Sequence, residues 1–310
     1  MAAEVLVSTR DMSREAWLQA RTQGIGGSDV AAIAGLSRWK SPVQVYLEKI
    51  GEAQPEEAGE AAYWGTVLED VVAAEFTRRT GLKVRRRNAI LRHPEYPWMI
   101  ANVDRLVVGQ EAGLECKTAS EYLRDEWVED RIPDAYMLQV QHYMAVTGLP
   151  KWWIAVLIGG NKFVHKCVER DDTIIQCLID LERDFWNNHV VPKIPPAFDG
   201  SEASTELLSA LYPTSKPGTA IELPPDAEKW LRQYEEAAAD EKAASERKEE
   251  AANQLKALLA DNEVGWIGDR KVTWKSVSSM RFDTKAFKEQ YPDLYTQFAK
   301  PSESRRFTVK

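Results

Sequence analysis

A chain of 310 residues, 44% of them apolar, is long enough for one sizeable domain plus an appendage. Its net charge of −8 argues against a protein that coats nucleic acid through overall charge, while leaving room for a local basic groove. Three scattered cysteines, Cys116, Cys167 and Cys177, exclude a disulfide framework and point to a reducing compartment, so a cytoplasmic location is expected.

The start, MAAEVLVSTRDMSREAW, lacks a basic stretch followed by an apolar run and does not read as a signal peptide. The longest apolar run, Trp152 to Ile158, falls far short of the roughly 20 residues that span a bilayer, so no membrane association is expected. No repeat of solenoid period is visible.

Ser13 to Gln23 predicts a short helix with Ser13 as N-cap and Trp17 on its apolar side. Gly24 to Pro42, GIGGSDVAAIAGLSRWKSP, places glycines before a helix over Val30 to Ala34, with Ser28 or Asp29 as cap. Such a backbone approaches an anion closely, and a helix N-terminus favours phosphate. It is neither a dinucleotide fingerprint, since Asp29 stands where the third Gly belongs and no apolar strand precedes, nor a P-loop. The plainer reading is a glycine-rich turn that starts a helix.

Pro42 to Ile50 continues as a helix closed by Gly51, and Ala53 to Gly59 is an acidic connector. Ala61 to Thr80 predicts a strong helix with Val67, Leu68, Val71, Val72 and Phe76 at helical spacing and Gly81 as its stop. Glu69 lies at the border of that stripe, as a solvated flank residue or as a carboxylate facing a metal across the sheet. Lys83 to Leu91 predicts a strand carrying Lys83, Arg85, Arg86 and Arg87. It is a solvated, self-protecting edge or a rim that faces a duplex.

Trp98 to Ser120, WMIANVDRLVVGQEAGLECKTAS, predicts a hairpin: a strand over Met99 to Val108, a turn over Gly109 to Gly113, and a strand from Leu114 to Thr118. Glu115 and Lys117, two apart, point to one face, and pairing through the turn brings Asp104 near Glu115. Two carboxylates and an ammonium are a surface ion pair on one reading. On the other they hold a divalent metal and activate water. Oxygen ligands suit Mg²⁺, which takes one or two carboxylates and completes its shell with water and phosphate.

Glu121 to Arg131 reads as a lid or loop helix. Pro133 opens a helix ending at Gly148, on which Gln139 and Tyr143, four apart, share a face as polar surface positions or as core groups. Trp152 to Ile158 and Lys162 to Val168 predict a second hairpin around Gly159-Gly160-Asn161, and Thr173 to His189 an amphipathic helix. Prolines 192, 195 and 196 mark a domain end. Ser201 to Pro225 is a connector with a short helix, Asp226 to Asp261 one long helix suited to a partner helix or sister subunit, Trp266 to Val277 a hairpin, Lys285 to Phe298 a last helix, and Ser304 to Phe307 a basic tail.

Arg21 with the Gly24–Asp29 loop, Glu69 on a long helix, Asp104, Glu115-x-Lys117 and Gln139-x-x-x-Tyr143 succeed one another in an order that resembles the PD-(D/E)XK nuclease superfamily. Within it the chain is similar to the YqaJ-type viral recombinases, relatives of phage lambda exonuclease. The likeness runs from about Leu18 to Pro196 and is carried by GIGGSD, Trp64-Gly65 before Glu69, and LECKT. Asp283 to Val309 also looks like the tails of longer members. The name-giving Pro-Asp pair is here Val103-Asp104.

The resemblance implies an α/β (α+β) restriction-endonuclease-like core, with a mixed central β-sheet flanked by helices and a C-terminal extension of a long helix and a β-hairpin. Residues 1–200 would be the exonuclease domain, 201–225 a linker, and 226–310 the extension for oligomer or partner contact. It implies Mg²⁺ (with Mn²⁺ substituting) held by Asp104, Glu115, the backbone carbonyl of Cys116, and Glu69. Lys117 would orient or deprotonate the attacking water, Gln139 and Tyr143 would brace the site, and Arg21, Ser28 and Gly27 would grip a 5′-phosphate, with Arg85 and Arg87 along the DNA. The implied activity is 5′→3′ digestion of linear duplex DNA in a bacterial host by a phage or prophage protein. Its partners would be an annealing protein for the 3′ strand and further copies of the chain, a trimeric ring among the arrangements. The alternatives are an end-independent endonuclease of the same core and a non-catalytic DNA-binding or packaging protein. A zinc enzyme is disfavoured, because His93, His142, His165 and His189 show no paired spacing.

Overall fold

The computed structural model describes residues 3–53, 59–300 and 305–309; part of the acidic connector and Ser304 of the basic tail lie outside them. The chain divides into two compact units, Met1–Pro213 and Thr214–Lys310.

In the first unit, β1 (Glu4–Ser8) precedes α1 (Arg14–Arg21), which Ser13 caps by accepting the Ala16 N–H. A two-residue strand, β2 (Ile25–Gly26), leads into α2 (Gly27–Ile33). The helix expected at Val30 therefore starts three residues earlier and does follow a strand. Its cap is Gly26, whose N–H donates to the Asp29 carboxylate at 3.0 Å. Next come α3 (Pro42–Ile50), closed by left-handed Gly51, and α4 (Glu60–Thr80), closed by left-handed Gly81. Strands β3 (Val84–Arg86), β4 (Ala89–Arg92), β5 (Met99–Asn102), β6 (Arg105–Val107) and β7 (Ala112–Ala119) follow. A 3₁₀ segment (Glu121–Trp127), α5 (Asp134–Thr147), the hairpin β8 (Lys151–Ile158) and β9 (Lys162–Glu169), α6 (Asp172–Phe185) with a π turn to Val190, and α7 (Glu202–Leu211) complete the unit.

The strands form two mixed sheets rather than one. A four-stranded sheet runs β1-β4-β5-β2 and a five-stranded sheet runs β3-β6-β7-β8-β9. Two segments read as single strands are each broken where the chain passes between sheets, at Arg87-Asn88 and at Val103-Asp104. Neither break carries Gly or Pro, so the sequence gives no punctuation there. β7 and β8 are parallel, and α5 makes the crossover such a pair requires.

Opposite faces of the five-stranded sheet are covered by α4 and α5. Val72, Ala73 and Phe76 of α4 pack with Leu114 and Ala155, while Val140, Tyr143 and Met144 of α5 pack with Trp152, Ile154 and Val156. The expected α4 stripe is half right: Val67 and Val71 are 45% and 54% exposed, and the buried line is Val72-Ala73-Phe76. Gly113 is required where it stands, because a Cβ there would lie 2.2 Å from the Trp152 ring.

In the second unit α8 (Ala227–Leu259) is the long helix expected, with Leu259 as its only buried residue among those described. β10 (Val264–Ile267) and β11 (Arg270–Thr273) form the hairpin around Gly268-Asp269. The last helix is two, α9 (Thr284–Gln290) and α10 (Pro292–Phe298), because Pro292 drives Tyr291 out of the helical region, to φ −133° and ψ 60°. No described helix is long and apolar enough to cross a membrane.

Candidate active site

Alternation along β7 decides which groups meet. Leu114 and Cys116 pack towards α4, so Glu115 and Lys117 face α5. Their charged ends touch, Lys117 Nζ lying 2.6 Å from Glu115 Oε1. β6 pairs Arg105 with Leu114 and then stops; the same register sets Asp104 opposite Glu115. Where the ladder ends, the Asp104 side chain takes over, its Oδ2 accepting the Cys116 N–H at 2.8 Å. The N–H and C=O of one strand residue leave on the same side, so the Cys116 carbonyl faces that gap too.

From α5, Gln139 Nε2 donates to Glu115 Oε1 and to Tyr143 Oη, each at 2.8 Å, and Tyr143 Oη donates to the Asn102 carbonyl at 3.2 Å. The i, i+4 pair is thus buried and braces Glu115. The other oxygen, Glu115 Oε2, is buried with no partner among the described residues.

Electrostatics match a cation-seeking pair. Burial and the neighbouring Glu115 push the Asp104 carboxyl up to about 7. Burial acts against the Lys117 ammonium, but Glu115 and Asp104 outweigh it and raise its pKa. In these surroundings the two carboxylates favour the charged ammonium, and a divalent cation bound to them would act in the opposite direction.

Glu69 comes from α4, on the other face, and its carboxylate is taken by Arg105, which also donates to the Asp104 carbonyl and, at 2.6 Å, to Asp70. Burial and Asp104 raise the Glu69 carboxyl. Among the described residues no three His, Cys, Asp or Glu gather as a metal cluster, so the structure brings Asp104 and Glu115 together but leaves Glu69 as a neighbour tied to Arg105. The donor set fits a hard divalent cation: two carboxylates, one with an orphaned oxygen, and a strand carbonyl facing the same gap.

A cavity of about 170 Å³ joins this cluster to the glycine loop. Asp104, Glu115, Gln139 and Tyr143 line one part and Arg21, Gly26, Gly27 and Ser28 another, with Trp17 and Asn102 also in the lining. Arg21 Nη2 donates to Ser28 Oγ at 2.9 Å and lies 3.3 Å from Asp29 Oδ1. Asp29 is fully buried. Burial would raise its carboxyl, but Lys49, Arg21 and Lys40 hold it well below the usual range. Gly27 serves packing: a Cβ there would lie 2.7 Å from the Tyr143 ring and 3.1 Å from Gln139. Arg85 and Arg87 are outside the cavity, Arg85 exposed on edge strand β3 and Arg87 half-buried after it.

Sequence reasoning missed Arg105, Asn102 and, of the cations around Asp29, Lys40 and Lys49. Arg105 adjoins Asp104 and alternation sends it to the α4 face, a signal that was available once Asp104 was placed.

A family model described as the YqaJ-like viral recombinase domain matches residues 16–150. The chain is 46% identical over 311 residues to the uncharacterized protein YqaJ of Bacillus subtilis (strain 168), covering 99% of this chain and 98% of that one. Among solved structures it is similar to the alkaline exonuclease LHK-Exo of Laribacter hongkongensis, at 21% identity and a TM-score of 0.50 over 64% of this chain and 100% of that one. A second structure, of LHK-Exo in complex with dAMP, matches at 23% identity and a TM-score of 0.48 over 64% of this chain and 97% of that one. The likeness to LHK-Exo is one of fold.

Proposed function

Since the chain belongs to the YqaJ-like viral recombinase domain family, we propose that it is a metal-dependent deoxyribonuclease digesting linear duplex DNA from its 5′ ends. The observation that carries this reading is one cavity lined both by the Asp104–Glu115 pair and by the Arg21–Ser28 loop. Asp104, Glu115 and the Cys116 carbonyl would hold Mg²⁺, or Mn²⁺ in its place, with Glu69 completing the set once released from Arg105. Such a cation supplies Lewis-acid activation of the phosphodiester and a more acidic bound water.

The chain's own groups divide the remaining work. Gln139, fixed by Tyr143, locks the Glu115 side chain, and a locked carboxylate needs no reorganisation during the reaction. Lys117 Nζ, 2.6 Å from Glu115, would orient or deprotonate the attacking water, and as an ammonium it would offset the charge growing on the phosphoryl oxygens. Arg21 and the exposed Ser28 hydroxyl would seat a terminal phosphate, with Arg85 along the duplex. In the host cell the product is a 3′ single strand for an annealing protein.

The test compares three substrates with Mg²⁺ or EDTA: linear duplex with 5′-phosphate, the same with 5′-hydroxyl, and closed circular duplex. Expected are Mg²⁺-dependent digestion of the first, slower digestion of the second, and an intact circle. Cleavage of the circle would move the assignment to an end-independent endonuclease, and equal rates on the two linear ends would remove the phosphate role of Arg21 and Ser28.

A further inference from the structure

Beside Lys117 stands an aromatic assembly that the hydrolytic site does not use. Trp127 is 3% exposed and belongs to the core. Tyr136, on α5, stacks on it with ring centroids 5.5 Å and planes 28° apart, and also stacks on Trp39 at 6.4 Å and 25°. The three rings grade from core to solvent, because Tyr136 is half-buried and Trp39 is 58% exposed. The Lys117 ammonium lies 5.0 Å from the centre of the Tyr136 ring, so Trp39 is one ring removed from the reacting groups. Next to Trp39, the Arg38 guanidinium lies 5.7 Å from the indole and is anchored to Glu126 at 2.8 Å.

Burial does not account for an indole left mostly in water, yet its attachment to a buried stack holds it in place. A fixed, exposed π-face with a cation beside it is what nucleobase recognition uses: stacking is indifferent to base identity, and the cation answers the adjoining phosphate. Bases inside a duplex have both faces covered by their neighbours and an end pair has one free, whereas an unpaired base can turn a whole face to such a ring. We propose that Trp39, seated on Tyr136 and flanked by Arg38, is a stacking platform for one unpaired nucleobase beside the hydrolytic centre. This rests on the nuclease reading above.

The test is equilibrium binding in EDTA, by fluorescence anisotropy, of a labelled 5′-phosphorylated duplex with mismatched terminal pairs. It uses wild type, Trp39→Ala and Trp39→Phe, and a series of DNAs in which successive terminal bases are replaced by abasic sites. Trp39→Ala should weaken binding by about tenfold, and Trp39→Phe should retain most of the affinity. One abasic position should cost the wild type about the same tenfold and cost Trp39→Ala nothing, since the two changes remove one contact. A wild type that binds with a flat abasic profile overturns the platform alone, and this arm stands even if Trp39→Ala does not fold. Additive losses in the variant and the abasic DNA also overturn it. A wild type that binds no DNA overturns the platform and the nuclease reading together.

Discussion

At the scale of single residues, Glu115 explains most of the site. One of its oxygens is held by Gln139 and Lys117 and the other has no partner among the described residues, an arrangement that costs stability until a cation or donor arrives. This much was legible beforehand: strand period two put Glu115 and Lys117 together, and the turn put Asp104 across from them. What could not be read was the environment, since Arg105 and Lys49 act on carboxylates 36 and 20 positions away. A second buried pair gives a pH signature. Burial works against a charged His142 ring, yet Glu182 on α6 at 2.8 Å, the Ile100 carbonyl on β5 at 2.8 Å, and Asp29 on α2 outweigh it and raise the pKa above 6.5. The folded state then binds more protons than the unfolded one above pH 6.5. This stabilisation is complete below that pH and is lost as pH rises through the raised folded value. Melting temperature followed upward from pH 6.5 should fall in the wild type, and His142→Gln should remove that component of the slope; identical slopes would contradict it.

Among elements, the site depends on how closely α2 approaches α5, and Gly27 sets that distance. Gly27→Ala should cost about 1–3 kcal/mol in a denaturant titration, because the added methyl meets the Tyr143 ring and the Gln139 backbone rather than open space. A change within error would mean that the helices can part freely. Helix ends were readable because Ser13, Gly51, Gly81 and Gly148 act through local chemistry. The two passages between sheets were not, because they are decided by which sheet each half-strand completes. The α9–α10 break, by contrast, was marked by Pro292 and could have been read.

For the molecule as a whole, the second unit bears exposed Trp230 and Tyr234 one turn apart on α8. If the extension serves contact between copies of the chain, as the resemblance implies, Trp230 and Tyr234, the latter also edge-on to Phe307, would take part. Light scattering should give a multiple of the single-chain mass, and Trp230→Ser with Tyr234→Ser should lower it; a monomeric wild type would refute that contact. The central claim is that an acidic pair, Asp104 at the break before β6 and Glu115 on β7, gathers a divalent cation to cut DNA. Its most direct test is the release of acid-soluble nucleotides from 5′-phosphorylated linear duplex in Mg²⁺ by wild type and by Glu115→Gln, a substitution that keeps the shape of the side chain. The account predicts rapid release by the wild type and a loss of about 10³-fold or more in the variant. Equal release by the two proteins would contradict it.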